Sequence, residues 1–340
     1  MIVARGRFAL LLVAACAALL ALVAWSFGVG RFPVAPGDVL RALWAGVTGG
    51  DSGLAANVEA VVLQVRAPRV AGALAVGAAL AAAGAAYQGL FKNPLVSPDI
   101  LGVTAGCALG AGVAVLWSLP IGAIQALAFA GGLLAVGLVV AIGWWIGGRD
   151  PILTLVLTGV VVGSLFGAGL ALVKYVADPY DQLPAITFWL LGSFTGALPR
   201  ELAATLVPIA AGIAVLALLR WRIDVLSLSD DEARSLGVPV GWLRLAVIAC
   251  ATLVTASAVS FAGTIGWVGL VIPHLARMLV GPEFSRLLPV SVLLGGGFLL
   301  AVDTLARTAA RIEIPLGVLT AFIGTPLFIW QLTRARHLWR

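Results

Sequence analysis

The sequence predicts an all-α polytopic membrane protein, a bundle of about ten transmembrane helices forming a single domain over residues 1–340. Composition is the first reason. Apolar residues make up 61% of the 340 and charged residues only 11%, with a mean hydropathy of +1.10, whereas a soluble domain carries about 25% charged residues. Spacing is the second reason. Apolar runs close to the roughly 17–25 residues that cross a hydrocarbon core recur along the whole chain, and most charges fall between them.

The first run, 8–27, follows Arg5 and Arg7. Its Val13-Ala14-Ala15-Cys16 resembles a lipoprotein cleavage site, but the run continues to Phe27. That is about 20 residues, the length of a span. Residues 28–67 form a long extramembrane segment. The second span, 68–88, is rich in Gly and Ala; small side chains let helix backbones approach closely, so this helix belongs inside a compact bundle. Spans follow at 100–118, 123–146, 152–176 and 202–219, then at 243–261, 267–280, 289–306 and 316–332. GLFKNPL at 89–95 and GLVIPHL at 269–275 are faint traces of a relation between the two halves, a common feature of transporters. Cys16, Cys107 and Cys250 all lie in apolar runs with no disulfide or metal spacing, as buried small hydrophobes do.

Between the sixth and seventh spans the pattern changes. Residues 226–238 read LSLSDDEARSLGV. Ser229 is an N-cap and Glu232, three residues on, completes a capping box. Asp230 and Asp231 sit in the first turn, where the helix dipole favours negative charge, and Gly237 and Pro239 end the helix. The chain thus specifies a short polar surface helix between two apolar spans, a shape suited to the grip of a soluble partner.

Charge sets the orientation. Arg5, Arg7, Lys92, Arg149, Arg220, Arg222, Arg277, Arg286, Arg334, Arg336 and Arg340 fall on one side if ten spans alternate. Both termini and the capped helix are then cytoplasmic. Arg66, Arg69, Arg307 and Arg311 fall on the opposite side, against the positive-inside tendency. Two readings stand for them: snorkelling to lipid phosphates, or a basic rim that docks an acidic partner. The net charge of +6 comes from scattered arginines with no basic stripe, so it does not indicate nucleic acid.

Several chemistries are excluded. A phosphate-binding P-loop needs Gly-Lys-Ser/Thr, and neither Lys92 nor Lys174 follows a glycine. The glycines of 102–112 are packing residues. No Ser or Cys nucleophile has a nearby base, Asp230-Asp231 lacks the second acidic cluster a magnesium–diphosphate site needs, and His274 has no second ligand at metal spacing. Asp303, inside the ninth span, stands one helical turn from Arg307 and reads as half of an intrahelical pair. Lys174 with Asp178 reads as a snorkelling residue near a span end. No catalytic residue, metal ligand or cofactor is expected.

Four pieces of the sequence carry a resemblance that covers residues 8–334: QVRAPRVAGALAVGAALAAAGAAYQGLFKNPLVSPDILGV (64–103), FWLLGSF (188–194), LSLSDDEARSLGV (226–238), and GTIGWVGLVIPHLARMLVG with the LLPVSVLLGGGFLLAVDTLART and IPLGVLTAFIGTPLFIWQL that follow it. Together they resemble the permease subunit of bacterial binding-protein-dependent ABC importers of the iron-siderophore, haem and cobalamin type. The resemblance implies a type II ABC importer permease-like bundle in a homodimer around one central path. It implies two ATP-binding cassette subunits on the cytoplasmic side, a periplasmic substrate-binding protein outside, and an inner-membrane location. It makes Ser229, Asp230, Asp231, Glu232, Ala233, Arg234, Ser235, Leu236 and Gly237 the segment that couples to the ATPase. It makes Arg66, Arg69 and Arg307 docking positions for acidic side chains of the binding protein, and lines the path largely with 152–176 and 316–332. Where cobalamin permeases close the cytoplasmic gate with small hydroxyl residues, this chain reads Asp150-Pro151-Ile152-Leu153, so gate residues do not transfer. The expected function is import of an iron chelate or cobalamin, with ATP hydrolysis in a separate subunit; the alternative is an ion-coupled secondary transporter, which requires Asp303 or Lys174 to be essential.

Overall fold

A computed structural model of the chain describes residues 5–30, 32–147 and 151–335. Arg149, Asp150, Arg336 and Arg340, used above for orientation and gating, lie outside the described residues, as do the side chains of Arg5 and Arg334.

The helices run in the order α1 (Arg5–Gly28), α2 (Pro36–Thr48), α3 (Ala56–Ala60), α4 (Ala67–Leu90), α5 (Val103–Leu116), α6 (Ile121–Ile146), α7 (Pro151–Val176), α8 (Gln182–Leu191), α9 (Pro199–Leu218), α10 (Arg220–Val225), α11 (Asp230–Ser235), α12 (Val240–Ala262), α13 (Val268–Val280), α14 (Phe284–Thr308) and α15 (Leu316–Ala335). No strand occurs among the described residues. Among them, 7 helices are long and apolar enough to cross a membrane. These are α1, the continuous helix Ala56–Leu90, α6, α7, α9, α12 and α14, and they match seven of the expected spans. The third, eighth and tenth expected spans correspond to the shorter α5, α13 and α15. An additional short apolar helix, α8, was not expected from the sequence.

The second span reaches back to Ala56 because Pro68 does not break it. Proline lacks the N–H for the ladder and crowds the carbonyl four residues earlier. A π turn over Val61–Arg66 widens the helix just before the proline, the local adjustment that lets a helix pass such a residue.

The Gly/Ala-rich α4 lies at the centre, packed against α9, α12, α13 and α14. Its alanines from Ala79 to Ala86 are fully buried. Two close approaches explain why glycine recurs there. A Cβ on Gly77 would lie 2.2 Å from the Gly295 carbonyl of α14, and one on Gly84 would lie 1.9 Å from the Gly269 carbonyl of α13. The most apolar 18-residue window of α1, by contrast, has none of its residues buried, as fits a helix that faces lipid, although Ser26 and Phe27 at its end are buried.

Helices α5 and α13 are short because the chain before each one runs irregularly inside the bundle, at 91–102 and at 263–267. Such backbone is tolerated at membrane depth only where protein covers it or water reaches it. Gln88, at the end of α4, joins the first segment to the start of α13. Its Nε2 donates to the Leu270 carbonyl at 3.2 Å and the Val96 carbonyl at 3.4 Å, while its Oε1 accepts from Arg277 at 3.0 Å.

Candidate functional site

Three features stand apart from the packed core: the capped helix at one end of the bundle, an arginine cluster at the other, and a crevice between α8 and α15.

Helix α11 forms as its residues dictate. The Glu232 amide donates to Ser229 Oγ at 3.3 Å, and the Ser229 amide donates back to Glu232 Oε2 at 2.8 Å. These Ser229 hydrogen bonds, aided by the charge of Lys92, hold the exposed Glu232 carboxyl below its ordinary value. Gly237 ends the helix with φ of 78°, its amide donating to the Arg234 carbonyl at 2.9 Å and the Val238 amide to the Ala233 carbonyl at 3.1 Å. Ala233 faces inward and is buried. Asp231 is almost fully exposed beside Arg234 at 2.9 Å, and Leu236 is exposed as well.

The helix is also braced. Arg244 of α12 holds Asp230 at 2.7 Å. Lys92, just past α4, donates to the Leu228 carbonyl. Behind it, Asp224 of α10 accepts from the Ser285 hydroxyl at 2.8 Å and from the amides of Phe284 and Ser285 at the start of α14. These contacts tie the stretch from Asp224 to Asp230 to α12, α14 and the end of α4.

At the far end, Arg69 and Arg307 converge on Asp303, and Arg66 lies beside Arg307 near Gly30. Asp303 has no exposed surface. Arg69 meets it with Nη2 at 2.8 Å and Nε at 2.9 Å, and Arg307 approaches with Nε at 3.7 Å. The other edge of Arg69 holds Glu313, whose second oxygen accepts from the Thr195 hydroxyl. Arg307 donates to the Val29 carbonyl at 2.6 Å and to Ser26 Oγ at 2.8 Å. Arg66 donates to the carbonyls of Phe27 and Phe32. The cluster thus joins α1, α4, α14 and the chain before α15. All three arginines are largely buried, and Glu313 lies at the open edge.

The crevice measures 730 Å³ and is lined by Leu190, Thr264, Trp267, Phe322, Thr325 and neighbours. Trp267 is its unusual residue. Its φ of 71° lies in a region that bulky side chains rarely occupy. The ring stacks edge-on against Phe328 of α15, with centroids 6.2 Å apart, and Gly324 leaves the room, since a Cβ there would lie 2.7 Å from that of Trp267. Among the described residues no group of three His, Cys, Asp or Glu could hold a metal ion.

A family model described as the FecCD transport family matches residues 18–334. The chain belongs to this family. The molybdate import system permease of Haemophilus influenzae is 39% identical over 303 residues, covering 89% of each chain. The cobalamin import system permease of Halobacterium salinarum is 41% identical over 281 residues, 82% of this chain and 75% of that one. A solved inward-facing structure described as a metal-chelate type ABC transporter superposes with a TM-score of 0.85 at 36% identity, covering 95% of this chain and 99% of that one. This FecCD-family chain is a multi-pass membrane protein and a permease subunit of an ABC transporter, a transport component. It is not an ion-coupled carrier, and its charges agree. Asp303 is neutralised by two arginines, and among the described residues Lys174 forms no ion pair with Asp178, which instead accepts from the Tyr180 and Asp181 amides.

The structure of this FecCD permease brings Arg66, Arg69 and Arg307 together and gathers Ser229–Gly237 into one braced helix. Sequence reasoning did not find Glu313, Thr195, Arg244 or Lys92 as members of these sites. Glu313 had one signal, as the sole acid in the RIEIP stretch opposite a surplus of arginines.

Proposed function

We propose that this permease forms a homodimer that moves an iron chelate, ferric siderophore or haem, or cobalamin, from the periplasm to the cytoplasm across a bacterial inner membrane. Two ATP-binding cassette subunits grip the exposed face of α11 from the cytoplasm, where both termini lie. A periplasmic binding protein docks over the arginine cluster. One observation carries the reading: a short acidic helix, capped at both ends and tied with its flanking residues to α12, α14 and the end of α4, projects from a bundle whose sequence carries no P-loop. ATP-driven closure of the cassette dimer moves α11, and the bundle relays that motion to a central path. The solved metal-chelate transporter and the cobalamin permease support a bulky metal-containing cargo.

At the docking end, Arg69 already holds a carboxylate at its open edge, that of Glu313. An acidic side chain of the binding protein competes with Glu313 for this position, over the positive floor of Arg66 and Arg307. The test is uptake into vesicles holding permease, ATPase and binding protein. Dissipating the ion gradients leaves uptake intact, and withdrawing internal ATP abolishes it. Uptake that survives without the ATPase overturns the proposal.

A further inference from the structure

Beyond Lys92, which donates to the Leu228 carbonyl, the chain between α4 and α5 carries one further charge, Asp99. Its 3₁₀ turn, Pro98–Leu101, lies between two other elements. On one side the Pro98 ring fits against Gly269 of α13, where a Cβ would come within 2.6 Å of it. On the other side the Ile100 carbonyl fits against Gly159 of α7, where a Cβ would come within 2.3 Å. Gly159 is two turns inside α7, about 12 Å from its first residue at 1.5 Å per residue. The turn is therefore at membrane depth. Leu101 is fully buried, while Asp99 is exposed.

Asp99 accepts a hydrogen bond from the Thr104 hydroxyl, and among the described residues no cation lies within ion-pair distance of it. An exposed carboxylate at this depth does not face hydrocarbon; intramembrane charges face water-filled space or a partner group. The surrounding segments supply almost no other charge. Helix α8, residues 263–267 and residues 316–333 contain none, α7 contains only Lys174, in its last turn at the far end, and α13 contains Arg277, which donates to Gln88.

We propose that Asp99 fixes a negative charge in the wall of the aqueous path and so makes this permease selective for cargo with a neutral, cationic or hydrogen-bond-donating surface, and against oxyanions. This rests on the reading of the bundle as a translocation path and narrows its substrate class. With no other charge at this depth on α7, α8 or residues 316–333, a carboxylate there weighs heavily in the potential that a cargo meets.

The test needs no knowledge of the cargo. Cys16, Cys107 and Cys250 are replaced by alanine and Ser97, on the same loop, by cysteine (S97C). The protein is reconstituted with its ATPase and treated with a cationic and an anionic methanethiosulfonate reagent. Relative to a small free thiol, the cysteine is expected to prefer the cationic reagent about tenfold, as one unit charge several Å away implies. In the added Asp99→Asn variant that preference falls to near unity. Equal rates with Asp99 present, or no reaction with either reagent, overturn the proposal. If S97C does not fold, Asp99→Cys replaces it: reaction with both reagents at similar rates is expected, and inertness to both overturns the proposal. ATP-driven uptake is followed in the same vesicles. Normal uptake with no charge preference sinks this inference alone, whereas loss of ATP dependence sinks the transport reading.

Discussion

Asp303 of α14 and Arg69 of α4 form a buried ion pair, Oδ1 to Nη2 at 2.8 Å, in a helix pair otherwise joined by glycines and aliphatic residues. The pair pins the arginine end of the two helices that pack most intimately. Removing one partner of a buried ion pair costs about 3–5 kcal/mol, because the other charge is left unpaired. Asp303→Ala leaves Arg69 with Glu313 alone and takes the carboxylate from Arg307, so it is expected to lower unfolding stability in detergent by about 3 kcal/mol, the lower end of that range. Glu313→Ala, at the open edge of the same arginine, should cost about 1 kcal/mol. Thermal unfolding of both variants checks this, and equal effects would refute the central place given to Asp303.

Glu313 leads to a different expectation. If it occupies the position that an incoming carboxylate needs, Glu313→Gln should raise the affinity of the binding protein about three- to tenfold, or roughly 1 kcal/mol. The gain should shrink as salt rises, since exposed charges are screened over about 10 Å at 0.1 M. Binding measured by surface-immobilised permease at two ionic strengths decides it. An unchanged or weaker affinity removes Glu313 from the docking scheme, whatever becomes of transport.

The capped helix offers a separation of coupling from folding. Ser229→Ala removes the cap, a change worth about 1 kcal/mol of local helix stability. Arg244→Ala releases Asp230 from α12. Both variants should assemble with the ATPase yet show reduced uptake per ATP hydrolysed, and a double-mutant cycle should show coupling between Asp230 and Arg244 of about 0.5–1 kcal/mol. Normal transport stoichiometry in both would mean that the brace carries no motion.

Acid should loosen the same helix. The Glu232 carboxyl is held below its ordinary value of 4.5 chiefly by its hydrogen bonds from Ser229. A depressed carboxylate stabilises the fold fully above the unfolded value and loses that contribution as pH falls through the lower folded one. Hydrogen exchange of the α11 amides should thus be flat above about pH 4.5, once corrected for the intrinsic rate, and rise below it. Glu232→Gln should flatten that rise; a persisting rise would point to another group.

How much of this was legible in the sequence follows from how local each feature is. The α11 cap needs only residues 229–237, so spacing alone placed it. The seven long helices declared themselves by length. The shortness of α5 and α13 did not, because the irregular stretch before α5 is seated against Gly269 of α13 and Gly159 of α7, and the one before α13 is held by Thr264 to the Leu190 carbonyl of α8, contacts that no window of sequence contains. The arginine cluster was half legible. Its charges stood out against the positive-inside tendency, and the Asp303–Arg307 pair showed in the i, i+4 spacing. Arg69 as partner of both Asp303 and Glu313 spans more than 230 positions and had no local signal.

The glycine contacts give the last expectation, one that bears on the fold alone. At Gly84 the nearest atom to an added Cβ is a backbone carbonyl, that of Gly269 at 1.9 Å, so no side-chain rotation relieves the overlap. At Gly89 on the same helix the nearest atom is the Cγ2 methyl of Ile223 at 3.7 Å, an ordinary contact. Alanine favours helix over glycine by about 1 kcal/mol. Gly89→Ala should therefore be neutral to stabilising, while Gly84→Ala must separate α4 from α13 and should lose about 1–3 kcal/mol, the usual range for overpacking. The separation also moves α13 away from Gln88, so the variant should expose the 263–267 segment to proteolysis. Equal stabilities for the two alanine variants would mean that the two backbones do not approach as closely as described.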